Sequence, residues 1–470
     1  MTTLTDTGPA TADLPHAETV EPLREQVRGQ VITAADEGYD EARTVHNGMF
    51  DRRPLAVLRA EQVADVIAAV NYAGERGLDL SVRGGGHGGP GFGTNDGGLV
   101  IDMSAMRTVR VDPRSKTARA DAGATLGDFN HATHAFGLAT TGGIISTTGL
   151  SGLTLGGGIG YLSRGLGLTI DNLISADVVT ANGTFLTASE RENEDLFWGL
   201  RGGAGNFGVV TSLEYQLAEV DQVFAGPIFY NLEDAPTILR MFDEFIRDAP
   251  EEFGGFPGFQ IAPALPFIPE DRHGDTLFIV VVHWAGPLDQ AEKVLKPFRE
   301  VAPIVADGTG PLPYPALNGA FDALYPKGLR AYWKGAFVKE LPDAAIATHV
   351  EHGSQVPELT CTMHLYPING AVNRVGPNDT AFAYRDCTYA MVLLAGWTDP
   401  AKDTERIGWL RGYYDALRPF TEPGGYINFM QHDDLGKVRD NYRQSYDRLV
   451  QVKRTYDPDN LFHLNQNVTP

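Results

Sequence analysis

Apolar residues recur at helical spacing between Glu61 and Arg76, where Val63, Val66, Ile67, Val70, Tyr72 and Ala73 share one face, and this predicts an amphipathic helix. Short apolar runs flank it. Pro54 to Arg59 and Leu78 to Val82 read as strands, followed by short β elements over Gly98 to Met103, Thr108 to Val111 and Thr117 to Ala122, and by a helix over Leu126 to Phe136. From Ser175 to Thr187 polar and apolar residues alternate around Asn182-Gly183, a preferred two-residue hairpin turn, so this stretch is predicted as a hairpin. Beyond about Val220 strands and helices carry larger aromatics, over Leu277 to Trp284, Gln290 to Phe298, Thr360 to Tyr366 and Tyr389 to Trp397. A second, sheet-containing domain is placed there. Lys437 to Lys453 reads as a helix with charges on one face.

Three stretches between these elements concentrate glycine. Arg83 to Gly93 sets seven glycines around His87, directly after a predicted strand. A second loop runs from Thr141 to Gly160 and a third from Leu200 to Gly208. Glycine lacks the Cβ that blocks close approach, and successive N–H groups can form a nest for an anion. Three such loops predict a long ligand held at several points. The run Gly156 to Gly160, with Asp177 about 20 residues downstream, imitates a nicotinamide-type fingerprint. Its context fails, because the preceding Gly149 to Thr154 is not an apolar strand and Asp177 falls in the predicted hairpin.

The formal net charge of −22 argues against a nucleic-acid partner, since binding by counterion release needs a basic surface. An anionic ligand must be held by local backbone dipoles against that field. No run of about 18 apolar residues predicts a membrane span. The first 35 residues carry no apolar leader segment or twin arginine, and the two cysteines, Cys361 and Cys387, exclude a disulfide scaffold. Cytoplasmic residence is the expectation. His131 and His134 sit three apart on a helix without a third ligand at suitable spacing, so no metal site is expected.

Four stretches in order carry a resemblance: Arg83-Gly-Gly-Gly-His87, the loop Gly149 to Gly160, Asp195 to Gly208, and Tyr456 to Phe462 with Asn465 and Asn467. Together they resemble the berberine-bridge-enzyme-like branch of the vanillyl-alcohol-oxidase flavoproteins, over nearly all the chain after the first 40 residues. The resemblance implies an α+β fold with a two-part FAD-binding domain (41–218), a substrate domain with an antiparallel sheet covered by helices (219–424), and a C-terminal return to the first domain (425–470). An N-terminal extension is expected over 1–40.

The resemblance makes His87 the point of covalent FAD attachment. Many members carry a second, cysteinyl link two positions after the glycine that corresponds to Gly143. Here Ile145 stands there, so a single link is expected. Arg83 and Gly143 join the implied cofactor set. Gly84, Gly85, Gly86, Gly88 and Gly89 are expected at the pyrophosphate, with Thr147, Gly149, Gly152, Gly158 and Gly160 around the ribityl and phosphate region. Asn206, Gly208 and Val210 fall on the adenine side, and Asn465 and Asn467 complete the set. Ile144 lies where the family controls the access of oxygen to the flavin.

The implied reaction is hydride transfer to flavin N5 from a CH–OH or cyclic CH–NH group of a small molecule or sugar, with dioxygen as acceptor. A dehydrogenase or ring-forming enzyme using another acceptor is the alternative. The chemistry needs a base. Tyr426, in Gly425-Tyr-Ile-Asn-Phe429, is the candidate, although a free phenol has a pKa near 10. His364, Tyr366, Asn369, Tyr384 and Arg385 are expected to line the substrate pocket. Tyr384 and Arg385 are candidate catalytic groups, with Arg385 either orienting a substrate carbonyl or carboxylate, or pairing with a neighbour such as Asp386.

Overall fold

The computed structural model describes residues 20–470. The expected N-terminal extension lies outside the described residues up to residue 19, as does most of the stretch read for a leader signal. From Val20 the chain already packs: Val20, Leu23 and Val31 are buried against the first sheet. Asp65 explains why. Its buried carboxylate accepts the backbone N–H groups of Arg28, Gly29 and Glu61 at 2.8, 3.1 and 2.9 Å, which ties residues 28–29 to the start of the first long helix. The extension read to residue 40 is therefore too long.

The first sheet contains β1 (Gln30–Ile32), β2 (Ala56–Arg59), β3 (Leu80–Arg83) and β4 (Leu99–Asp102) in the order β1-β2-β4-β3. β2, β4 and β3 are parallel, with α1 (Val63–Arg76) crossing between β2 and β3. The second sheet is antiparallel, with β5 (Val109–Asp112), β6 (Thr117–Asp121), β7 (Leu173–Val179), β8 (Phe185–Ser189) and β9 (Val209–Gln216) in the order β5-β6-β9-β7-β8. β7 and β8 form the predicted hairpin. Its connection, residues 180–184, is longer than the two-residue turn expected, and Asn182 Oδ1 accepts the Thr184 N–H within it. Asp177 lies in β7 and pairs with Arg119 at 2.9 Å, which accounts for the false fingerprint.

The third sheet is antiparallel and has eight strands. They are β10 (Gln222–Tyr230), β11 (Phe253–Ile261), β12 (Thr276–Trp284), β13 (Ile304–Asp307), β14 (Gly310–Pro313), β15 (Arg330–Val338), β16 (Thr362–Pro367) and β17 (Tyr389–Trp397). The order is β13-β10-β12-β11-β16-β17-β15, with β14 beside β10. Helices α2 (Ala235–Asp248), α3 (Ala291–Glu300), α4 (Asp343–Gly353) and α5 (Asp403–Leu417) cover one face. Strand alternation sorts the two faces. Phe278, Val280 and Val282 pack beneath the helices, while Ile279 and Val281 point to the opposite core; Met391 and Leu393 likewise oppose Ala390 and Val392.

The helix predicted over Lys437 to Lys453 is interrupted. Arg443 has φ 45°, and its guanidinium pairs with Asp386 and Glu422 while lying 3.7 Å above the Tyr384 ring. These tertiary contacts outweigh local helix propensity. The regular part, α6 (Tyr446–Tyr456), returns to the second sheet through Leu449 and Val452. Lys453 is fully buried there. Its Nζ donates to Asp457 at 2.6 Å and to the carbonyls of Asn206 and Phe462 at 2.8 Å, pinning the tail to the third glycine loop.

Candidate active site

The three glycine loops, the tail and the uncovered face of the third sheet enclose a cavity of about 420 Å³. Gly84, Gly85, Gly86, His87, Gly88 and Gly89 line it from the first loop, Gly143, Gly149 and Gly152 from the second, and Gly205, Gly208 and Val210 from the third. Asn465 lines it from the tail. The sheet contributes Trp333, Thr362, His364, Tyr366, Val392 and Leu394.

The glycines serve two different ends. Gly85 and Gly149 meet backbone to backbone, and a Cβ on Gly85 would lie 2.2 Å from the Gly149 nitrogen. That contact fixes the first loop on the second. Gly88, Gly152 and Gly205 face open space, with nothing within 4 Å of an added Cβ. No positive φ requires glycine at these three positions either. One comes from each loop and all three line the cavity, so what they spare is room for a ligand. Asn465 and Asn467 each keep a buried Oδ1 with no partner among the described residues, and of the two Asn465 lines the cavity. A long ligand with anionic and hydrogen-bonding parts fits this backbone-lined space and its free amide acceptor, as expected for FAD.

His87 sits where the first two loops meet. Its Nε2 lies 3.0 Å from Thr147 Oγ1, and its ring stacks on His46 at 3.8 Å between centroids. Burial, reinforced by His46, pulls its pKa down to about 3, so the imidazole is neutral. Sequence reasoning missed His46. It arrives on an irregular segment, held by its backbone N–H on Gly86 O at 3.0 Å, and no periodicity announces it. The second loop is secured to the substrate module: Asn318 Nδ2 donates to Gly143 O at 2.6 Å and Asp322 receives the Ser146 N–H at 2.8 Å.

Several expected cofactor residues do other work. The Arg83 guanidinium is taken up by Asp102 at 2.9 Å and by the Ala42 carbonyl, so it braces the first sheet. A Cβ on Gly160 would lie 1.6 Å from Gly142 O, which makes it a packing glycine. The Gly158 N–H donates to Tyr426. Asn206 bridges Gly203 O and the Val468 N–H, joining loop to tail.

Tyr426 is buried in the cavity wall. Its phenol oxygen accepts from Gly158 N and Asn428 Nδ2, both at 2.8 Å. Burial pushes its pKa up to about 12, and these donors pull against that rise. Asn428 and Phe429, from the same segment, line the cavity as well.

Tyr384, Arg385 and Asn369 are not cavity residues. Tyr384 stacks on Phe337 at 4.2 Å, donates to Asp440 O at 2.8 Å and accepts the Gly424 N–H at 3.0 Å. Arg385 makes two 2.7 Å bonds to Asp171 and one of 2.8 Å to Thr380. Asp386, the neighbour considered for it, instead pairs with Lys339 and Arg443. Asn369 is held between Arg164 and Ile246 O. All three are expected in strand-like segments, but they lie in the irregular chain between β16 and β17, which turns them away. Among the described residues no cluster of three or more metal-ligating side chains occurs, and no helix is long and apolar enough to cross a membrane.

Residues 54–189 match the family model described as an FAD-binding domain, and residues 425–469 match the one described as berberine and berberine-like. An uncharacterised FAD-linked oxidoreductase of Bacillus subtilis, YgaK, is 30% identical over 95% of this chain and 98% of its own length. The (R)-6-hydroxynicotine oxidase of Paenarthrobacter nicotinovorans is 32% identical, covering 94% of this chain and 97% of that protein. The crystal structure of 6-hydroxy-D-nicotine oxidase from Arthrobacter nicotinovorans superposes with a TM-score of 0.83 at 28% identity, covering 94% of this chain and 98% of that one. With the glycine cradle and the returning tail already in place, the chain belongs to the berberine-bridge-enzyme-like family of FAD-linked oxidoreductases.

Proposed function

We propose that the protein is a monocovalent flavin oxidase: FAD is joined to His87, and a CH–OH or cyclic CH–NH group of a small molecule is oxidised. The observation that carries this reading is the setting of His87. It is a neutral imidazole at the junction of two glycine loops, beside Thr147 and stacked on His46. A neutral ring nitrogen keeps the lone pair that a covalent bond requires. Ile145 stands where a second, cysteinyl link would need a thiol, and Cys361 and Cys387 are both buried in the substrate module.

When bound, FAD supplies the acceptor for the substrate hydride, with dioxygen as the final oxidant. The chain's own groups do the rest. Backbone N–H groups of the glycine loops hold the anionic part, while Asn465 and Asn467 offer their free oxygens to the cofactor. Tyr426 takes the substrate proton as the hydride leaves, and the Gly158 and Asn428 donors offset part of the rise that burial imposes on its phenol. Ile144 and Ile159 help exclude water from this part of the cavity.

Acid precipitation of purified protein tests the reading. Flavin colour should stay with the wild-type pellet and leave the pellet of His87→Ala, and active protein should form hydrogen peroxide when screened with alcohols and amines. Flavin released freely from the wild type overturns the covalent assignment.

A further inference from the structure

The cavity wall built by the third sheet carries no charged side chain. Its polar atoms are few and specific. Trp333 Nε1, and beside the sheet the hydroxyl of Tyr325 from the segment before β15, are buried with no partner among the described residues, and both residues line the cavity. His364 Nδ1 is 2.9 Å from the Tyr366 hydroxyl, which leaves Nε2 with no protein partner among the described residues. The His364 ring packs on Phe256 at 4.2 Å between centroids, and burial draws its pKa down to about 3, so it is uncharged. The one non-histidine cation on the lining, Arg83, is already paired with Asp102.

This inventory limits what can enter. An ammonium or carboxylate would leave water for a wall without a counter-charge, a loss of several kcal/mol for an unpaired ion. A sugar ring would bring more hydroxyls than the wall's three free polar atoms can satisfy, and each unpaired buried group costs about 1–3 kcal/mol. A single hydroxyl suits the site. It can donate to Nε2 in one His364 tautomer and accept from it in the other, while Trp333, Val392 and Leu394 take the apolar remainder.

We propose that the site takes an uncharged alcohol carried on an aromatic or alicyclic ring, and that Nε2 of His364 holds its hydroxyl while Tyr366 fixes the imidazole from behind. The proposal rests on the flavin-dependent reading above. His364 is a specificity-determining residue and Tyr366 a positioning residue.

The test is binding without turnover, in the purified holoenzyme kept reduced under nitrogen so that the flavin cannot accept a hydride. Benzyl alcohol, benzoate, benzylammonium and glucose are titrated, with perturbation of the visible flavin spectrum and the shift of the thermal midpoint as two readouts. Benzyl alcohol should bind at least about tenfold more tightly than either ion or glucose, the worth of about one hydrogen bond. His364→Leu should erase the advantage of the alcohol over glucose, His364→Gln should restore part of it, and Tyr366→Phe should weaken alcohol binding without changing flavin retention. Equal binding of the ions, or a preference that survives in His364→Leu, overturns the proposal. The wild-type series decides it even if a variant fails to fold. Failure of the functional reading is seen separately, as wild-type flavin lost on acid precipitation, and the thermal-shift series still ranks the four probes.

Discussion

The two ends of the cavity are built on opposite principles. At the cofactor end the wall is backbone, held by contacts such as Gly85 on Gly149, and side chains are conspicuous by removal. At the sheet end the wall is side chain, delivered by alternation along β15, β16 and β17, with Trp333, His364 and Val392 each flanked by residues that face the helices. Backbone is chemically the same in every relative that keeps the loops, so the first end can hold one ligand. The second end changes with every substitution on one face of a sheet, so it can be respecified without disturbing the core behind it.

The hardest way to break this contrast is to give the cofactor end a side chain. Gly85→Ala places a Cβ 2.2 Å from a backbone nitrogen that cannot move aside, so the two loops must part. We expect a loss of more than about 3 kcal/mol of stability together with flavin colour. Gly152→Ala is the sharpening counterpart. It sits inside the short helix Leu150–Leu155 with open space before it, so the protein itself should gain up to about 1 kcal/mol from helix propensity while flavin retention falls. Denaturant melts of the cofactor-free proteins, set beside acid-precipitation colour, separate the two effects. Similar losses of both properties in Gly152→Ala would show that this glycine serves the fold, not the ligand.

The same contrast explains what could be read from the chain before its structure. Glycine density marks a backbone-built site directly, so Gly84 to Gly89, Gly149 and Gly208 were legible as one cradle. The β elements from Ala56 to Asp121 were legible from short apolar runs. At the sheet end only period-2 spacing was available. His364 and Tyr366 lie on a regular strand and line the cavity, whereas Tyr384 and Arg385 follow an irregular stretch where no period assigns a direction. Arg83 lines the cavity, but the β4 residue Asp102 that claims its guanidinium is 19 residues away and gives no signal in the motif. His46 carried no signal, since stacking on His87 depends on the path of a loop.

A smaller effect is read through pH in the substrate module. His283 lies on the cavity-side face of β12, fully buried, and neither ring nitrogen has a protein partner. Burial lowers its pKa from 6.5 to about 3. The unfolded chain therefore binds a proton that the native state refuses, and the stability present above about pH 6.5 is lost as pH falls towards the folded value. His349 and His364 share this behaviour, each lowered to about 3. Each contributes a slope of about 1.4 kcal/mol per pH unit below pH 6.5. His283→Leu removes one of these terms. Denaturant midpoints measured from about pH 7 down to about pH 5, before most carboxylates titrate, should fall less steeply in the variant. Stability near pH 7 should hold or rise, because an unpartnered polar group leaves the core. An unchanged slope would mean that His283 gains a proton-accepting partner in solution.

The smallest effect concerns a residue with suitable chemistry in the wrong place. Tyr384 is a buried phenol, as Tyr426 is, yet its hydroxyl spans Gly424 N and Asp440 O on the far side of Phe337. Removing that hydroxyl costs two hydrogen bonds to backbone, about 1–3 kcal/mol of stability. The substrate pocket is untouched. Tyr384→Phe should therefore lower the thermal midpoint by a few degrees and leave kcat and KM within about twofold of wild type. Tyr426→Phe should do the reverse, lowering kcat by about a hundredfold or more, as loss of a general base does, with little change in substrate binding. If instead Tyr384→Phe slows turnover while Tyr426→Phe does not, the proton leaves by the Gly424 side and the assignment of Tyr426 as base is wrong.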